Sequence, residues 1–220
     1  MPAAPVQAGA MGRMQGLIKA LARRDPHTAG HSRRTAGIAM VLGESAGLDM
    51  AQSYVLGAAA LLHDIGKLAV PIRILESRGR LDRVDWARMQ GHSAMGARIV
   101  RAAALPLGEE VARAVRHHHE NVDGSGYPDG LAGEEIALAA RIISLADAYD
   151  AISSARSYHG ERTHAQTMGI LAGEVGRKCD PALFELFLRE AEPRLAGRKP
   201  WPEREVAARR AIARYCAAAA

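Results

Sequence analysis

Aromatic residues are scarce, at 4% of a 220-residue chain in which 48% of residues are hydrophobic. A core must therefore be built from Ala, Leu, Ile, Val and Met, a mixture that favours close-packed helices over sheets. Cysteine is almost missing. Cys179 and Cys216 lie in no CxxC pair and far in sequence from the histidine-rich segments. That argues against a disulfide framework and a thiolate metal site, and for a reducing compartment. No apolar run is long enough to span a membrane, and the N-terminus lacks a signal-peptide core, so a soluble cytoplasmic chain is expected. The formal charge is +5 and the pI about 9.5. No basic run is interleaved with aromatics, so a nucleic-acid polymer is not the expected partner. The scattered arginines suit a small anionic ligand such as a nucleotide.

The pattern predicts an all-α protein, a compact bundle of about seven or more helices with a C-terminal helical extension. Residues 1–12 read as a disordered leader, 13–195 as the domain and 196–220 as the extension. Helices are expected over Met14–Arg24, Thr28–Ser45 and Met50–His63. A further helix is expected from an Asp82 cap to Ala104, then others over Glu109–His119 and Glu134–Ser154. More follow near Thr163–Gly176 and from Pro181. Gly47, Gly66, Pro71, Pro106 and Gly108 punctuate them. No alternation of period two is long enough for a strand. The basic final helix, with Arg204, Arg209, Arg210 and Arg214, has two readings: packing on the bundle, or pairing two copies in a homodimer.

What is abundant is histidine at helix ends. His31 opens HSRR, His63 and Asp64 lie in LLHDIGK, and His92 lies in GHSAMG. Residues 117–130 read HHHENVDGSGYPDG, three histidines and a glutamate running into a Gly-rich turn. Asp147 sits in the otherwise apolar SLADAYDAISS. Asp64 and Asp147 are costly to bury without a partner, which a metal or an arginine can supply. Imidazoles and carboxylates without thiolate suit Fe, Mn, Zn or Ni better than soft metals or an all-oxygen Mg site. Two such cations about 3.5–4 Å apart can activate a hydroxide and stabilise phosphoryl transfer. Lys67, one turn past the His–Asp pair, is a natural phosphate contact. Each feature alone has an ordinary structural reading as a cap or a turn. Their conjunction points to a metallophosphohydrolase.

HSRR, LLHDIGK, GHSAMG, HHENVDGSGYPDGL and ARIISLADAYDAISSAR, in this order over about Leu17–Leu188, closely resemble the HD-GYP family, a branch of the HD-domain metal phosphohydrolases. The resemblance implies a helical bundle. It also implies hydrolysis of cyclic di-GMP to the linear dinucleotide, and on to GMP, by a hydroxide bridging two divalent metals. It assigns one metal to His31, His63, Asp64 and Asp147, and the second to Asp64, His92, His118 and His119. Asp64 and Lys67 become the catalytic pair. Lys67, Arg156 and Tyr127 become substrate contacts. Gly126-Tyr127-Pro128 becomes the loop beside the site, which the family can also use to meet diguanylate-cyclase-type domains.

Three positions depart from the family pattern. His27 stands where three-metal members have Glu, so two metals are expected. His159 stands where a basic residue often grips the nucleotide, and Ser93 replaces a usual Pro. Successive helical residues point about 100° apart, so the three histidines cannot all face one site. The family register leaves His117 as the spare and makes Glu120 a supporting residue that orients an imidazole. The competing readings are a non-catalytic module that binds a cyclic dinucleotide or a protein, and a phosphohydrolase for nucleoside monophosphates or another cyclic dinucleotide.

Overall fold

The computed structural model describes residues 5–77, 79–154, 156–157, 160–195 and 202–218. The chain is all-α, as its composition implies. Helices α1 (Pro5–Arg24), α2 (Pro26–Ser45) and α3 (Met50–Leu62) lead to a 3-10 turn at Ile65–Ala69. A short α4 (Ile72–Leu75), α5 (Arg83–Gln90), α6 (His92–Ala102) and α7 (Gly108–His117) follow. The Gly-rich segment then runs to a 3-10 turn at Gly133–Glu135 and to α8 (Leu138–Ser154). Two-residue strands β1 (Arg156–Ser157) and β2 (Gly160–Glu161) pair antiparallel. Helices α9 (His164–Ala172), α10 (Pro181–Leu186), α11 (Glu192–Leu195) and α12 (Pro202–Ala218) complete it, with a π-turn at Phe187–Ala191.

Local chemistry sets the helix starts. The Asp25 carboxylate accepts the Thr28 N–H and Pro26 occupies the first turn of α2, where its missing N–H costs nothing. Asp49 and Gln52 form a reciprocal capping box on α3. Asp82 caps α5 through the Asp85 N–H. The core runs through α2, α3, α7 and α8, where Ala36, Leu42, Leu56, Leu62, Val111, Ile142 and Leu145 are fully buried. Among the described residues no helix is long and apolar enough to cross a membrane.

Several expected boundaries move. Residues 5–12, read as part of a disordered leader, are the first turns of α1, and Ala10 is buried against the bundle. The helix expected over Asp82–Ala104 is two helices. His92 Nδ1 donates to the Met89 carbonyl and Ser93 Oγ to that of Gln90, so side chains compete with the ladder at Gly91. The helix expected from Glu134 starts at Leu138, because Gly133 has φ +51° and the Glu135 carboxylate takes the Ala132 N–H in a tight turn. The final helix is not peripheral. Within α12, Ala208 and Ile212 are buried against α2 and α3, and Tyr215 stacks on the buried Tyr54 with ring centroids 4.6 Å apart.

Candidate metal centre

Three of the site histidines are set by one device. A helix end leaves carbonyls without an N–H partner, and a histidine placed there can donate its Nδ1 hydrogen to one of them. His63 follows α3 and uses the Ala60 carbonyl at 2.9 Å. His92 follows α5 and uses Met89 at 2.6 Å; His118 follows α7 and uses Val115 at 2.7 Å. Each ring is thereby fixed with Nε2 directed away from its own helix and into the bundle.

His31 lies inside α2, where the neighbouring carbonyls serve the helix. Its Nδ1 instead meets Asp150 Oδ2 at 2.7 Å, and its Nε2 meets Asp147 Oδ1 at 2.7 Å. Arg34 clamps Asp150 with two hydrogen bonds, at 2.8 and 2.9 Å. Asp150 and Arg34 are the site residues that sequence reasoning missed. The available signal was the three-residue spacing from Asp147 to Asp150, which puts both carboxylates on one face of α8.

Two clusters result. Donor atoms of His31, His63 and Asp64 lie within 4.8 Å of one another, and so do those of His92, His118 and His119. Asp64 faces both: Oδ1 is 3.3 Å from His92 Nε2, and Oδ2 is 3.5 Å from His63 Nε2. Lys67 Nζ lies 2.7 Å from Asp64 Oδ2. Gly66 permits this approach. A Cβ there would stand 1.8 Å from the His92 carbonyl oxygen, so only glycine lets the 3-10 turn meet the start of α6.

Electrostatics divides the imidazoles. Burial disfavours the charged form of His63 and His118, and pushes His119 down to about 4. These three present neutral lone pairs. Burial also opposes charge on His31, but hydrogen bonds to Asp147 and Asp150 raise it to about 10. Burial likewise works against the Asp147 carboxylate, yet His31 and its neighbours hold it down at about 2. Burial disfavours the Asp64 carboxylate too, but Lys67, His63 and His92 keep it ionised.

The Gly-rich segment folds back over this centre. Tyr127 stacks beside His119, with ring centroids 4.9 Å apart. Gly126 is required because a Cβ would lie 2.3 Å from the Asn121 nitrogen. His117 Nε2 meets Asp129 at 2.8 Å, and Arg116 holds the same carboxylate through two bonds. The spare histidine therefore anchors the loop. Glu120 corrects an expectation. Among the described residues it contacts no imidazole; its buried carboxylate accepts the backbone N–H groups of Asp129, Gly130 and Leu131.

His31, His63, Asp64, Lys67, His92, His118, His119, Tyr127 and Asp147 are thus brought together. His27 is exposed on α2. Arg156 lies in β1 with its side chain outside the described set, and His159 lies outside the described residues. The assembled residues fit divalent transition metals. The donors are imidazole and carboxylate, and the buried His63 Nε2 has no hydrogen-bond partner among the described residues, a cost that coordination removes.

Fold and site define an all-α protein whose helix ends converge on a His–Asp centre of metal-binding chemistry. The family profile described as HD domain matches residues 15–183, and the chain belongs to that family. The 3'3'-cGAMP-specific phosphodiesterase 2 of Vibrio cholerae serotype O1 is 35% identical over 187 residues, 85% of this chain and 36% of that relative. The cyclic di-GMP phosphodiesterase response regulator RpfG of Xanthomonas campestris pv. campestris is 35% identical over 173 residues, 79% of this chain and 46% of that relative. The chain thus spans less than half the length of either. A solved cyclic GMP-AMP phosphodiesterase of V. cholerae, V-cGAP3, shares the fold, with a TM-score of 0.68 at 22% identity over 88% of this chain and 52% of that one. The HD-GYP-type resemblance read from the five motifs is borne out by these relatives.

Proposed function

We propose that this chain is a metal-dependent phosphodiesterase that hydrolyses cyclic di-GMP to the linear dinucleotide. The observation that carries the reading is the placement of Asp64, one carboxylate facing two histidine clusters. His31, His63, Asp64 and Asp147 would hold one cation; Asp64, His92, His118 and His119 would hold the second. Fe or Mn suits this donor set best, with Zn or Ni next. Bound cations would supply Lewis-acid charge at phosphorus and lower the pKa of a coordinated water.

The chain's own residues supply the rest. His31 must release its Nε2 proton to act as a ligand, which couples metal uptake to loss of its hydrogen bond with Asp147. Lys67, partly exposed beside Asp64, presents an ammonium to a phosphoryl oxygen where charge develops. Tyr127 lines the site beside His119 and offers its ring to the nucleotide. On sequence register, Arg156 is assigned to the second phosphate. The loop that carries Tyr127 is pinned by Glu120, Arg116 and His117, which holds that ring in place.

The relative named for 3'3'-cGAMP supports a second substrate, since it covers 85% of this chain at 35% identity. The non-catalytic reading is disfavoured by the convergence of both carboxylates and all five imidazoles. The test is a metal-defined assay. Metal-free protein is loaded with Mn(II) or Fe(II) and offered cyclic di-GMP, 3'3'-cGAMP and cyclic di-AMP, with products identified by mass. Linear di-GMP is the expected product. Preferential cleavage of 3'3'-cGAMP transfers the assignment to that substrate. Failure of the loaded protein to cleave any of the three overturns the proposal.

A further inference from the structure

The two histidine clusters are supported differently. His92 and His118 are fixed by carbonyls of their own helix ends, at 2.6 and 2.7 Å. His31 depends on another helix. Asp150 Oδ2 takes the His31 Nδ1 hydrogen at 2.7 Å and that of Arg34 Nη2 at 2.9 Å, while Oδ1 takes Arg34 Nε at 2.8 Å. His31 and Arg34 are three residues apart on α2, and Asp147 and Asp150 three apart on α8. Each pair shares one helix face. The faces interlock: Arg34 meets Asp150, Asp150 meets His31, and His31 meets Asp147. Asp150 is 3% exposed, so this carboxylate is committed to the contact.

From this geometry we infer that Asp150 and Arg34 are positioning residues for one cation only, the one held by His31, His63, Asp64 and Asp147. The inference rests on the metal centre proposed above. Asp150 fixes the imidazole with Nε2 directed at Asp147, and Arg34 fixes Asp150, so the ligand geometry there depends on the register of α2 against α8. The cation held by His92, His118 and His119 does not share this dependence. A purely structural bridge between α2 and α8 would behave differently, lowering stability and weakening both positions alike.

The test is titration of the demetallated full chain with Co(II). Calorimetry gives stoichiometry and affinity, and the visible ligand-field bands report each position. His92→Ala serves as the reference for loss of the other position. Wild type is expected to take up two cations. Asp150→Asn removes the charge and leaves one accepting oxygen for the three N–H donors of His31 and Arg34, with an NH2 turned against one of them, and it should weaken one position by about 10- to 100-fold while the other keeps its affinity. Asp150→Glu should recover part of the loss. If Asp150→Asn does not fold, judged by circular dichroism, Arg34→Gln carries the same test with a smaller shift at the same position. Unchanged affinities, or equal weakening at both positions, overturn this inference alone. A wild-type chain that binds no Co(II) overturns the metal centre and the inference together.

Discussion

Glu120 Oε1 accepts the backbone N–H of Asp129 at 2.7 Å, tying the residue after the histidine triplet to the far side of the Gly-rich loop. Two more backbone N–H groups, of Gly130 and Leu131, use the same buried carboxylate. Hydrogen bonds to a charged group contribute about 1.5–3 kcal/mol each, but the freed loop donors can rehydrate. Glu120→Ala should therefore cost about 2–4 kcal/mol in urea denaturation. Glu120→Gln should cost less, since one oxygen remains. Because Tyr127 sits on this loop, both variants should raise KM more than they lower kcat. A stability change below about 0.5 kcal/mol for Glu120→Ala, the usual range for a surface substitution, would deny the carboxylate its anchoring role.

A second expectation concerns the contact between the 3-10 turn and α6. Gly66→Ala places a Cβ 1.8 Å from the His92 carbonyl oxygen and 2.6 Å from the Gly96 nitrogen. Backbone cannot yield there without moving Asp64 away from His92. The variant should lose at least about 2 kcal/mol of stability and bind less metal. Gly16→Ala is the contrast. It is exposed within α1 with nothing near its Cβ, and it should stabilise by about 0.5–1 kcal/mol. Thermal melts and metal analysis of the two variants would separate close approach from general glycine loss.

The parts of the centre that sequence revealed were those carried by residue type at a helix end. His63, Asp64, His92 and His118 stand where a helix stops, and the punctuation by Gly66, Gly91 and the Gly-rich turn is visible in one dimension. Asp150 and Arg34 were not legible, because their meaning arises only where α2 crosses α8. Glu120 was misread for a similar reason: its neighbours in sequence are imidazoles, but its partners are backbone groups nine to eleven residues on. The break at Gly91 followed from side chains competing for carbonyls, which helix period alone does not reveal. The packing of α12 had a readable signal. Ala208, Ile212 and Tyr215 follow helical spacing, although arginines dominate the surrounding composition.

Asp64→Asn should abolish turnover and reduce metal content while leaving the far-ultraviolet circular dichroism unchanged. The amide keeps the shape of the carboxylate but not its charge, and only one of its two ends can accept. Lys67 then loses the negative charge of its 2.7 Å partner. Metal analysis alongside hydrolysis of cyclic di-GMP checks this. Full activity in Asp64→Asn is incompatible with a shared two-metal carboxylate.

Cation binding should stabilise the fold by mass action, since the clustered donors exist only in the folded chain. At about 100 times Kd, one site contributes about 2.7 kcal/mol. Adding Mn(II) to metal-free protein should raise Tm, and a chelator should lower it again. Asp64→Asn should show a smaller rise. An unchanged Tm across a saturating titration would count against the centre without any reference to activity.

The last expectation concerns the C-terminal helix. At Gly57 of α3 a Cβ would stand 3.4 Å from Ala208 Cα, so the two helices cross with small residues between them. Ala208 is fully buried at that crossing. Ala208→Leu should overpack it and cost about 1–3 kcal/mol. Ala213→Leu, on the exposed face of the same helix, should change stability by less than about 0.5 kcal/mol. Ile212→Ala removes a buried side chain of the core and should cost about 2–4 kcal/mol. If α12 instead served only to pair two copies, Ala208→Leu and Ile212→Ala would alter the sedimentation behaviour of the chain and leave the unfolding midpoint at low protein concentration where it was. Denaturation at two protein concentrations, with sedimentation on the same samples, distinguishes a helix that belongs to the bundle from one that belongs to an interface.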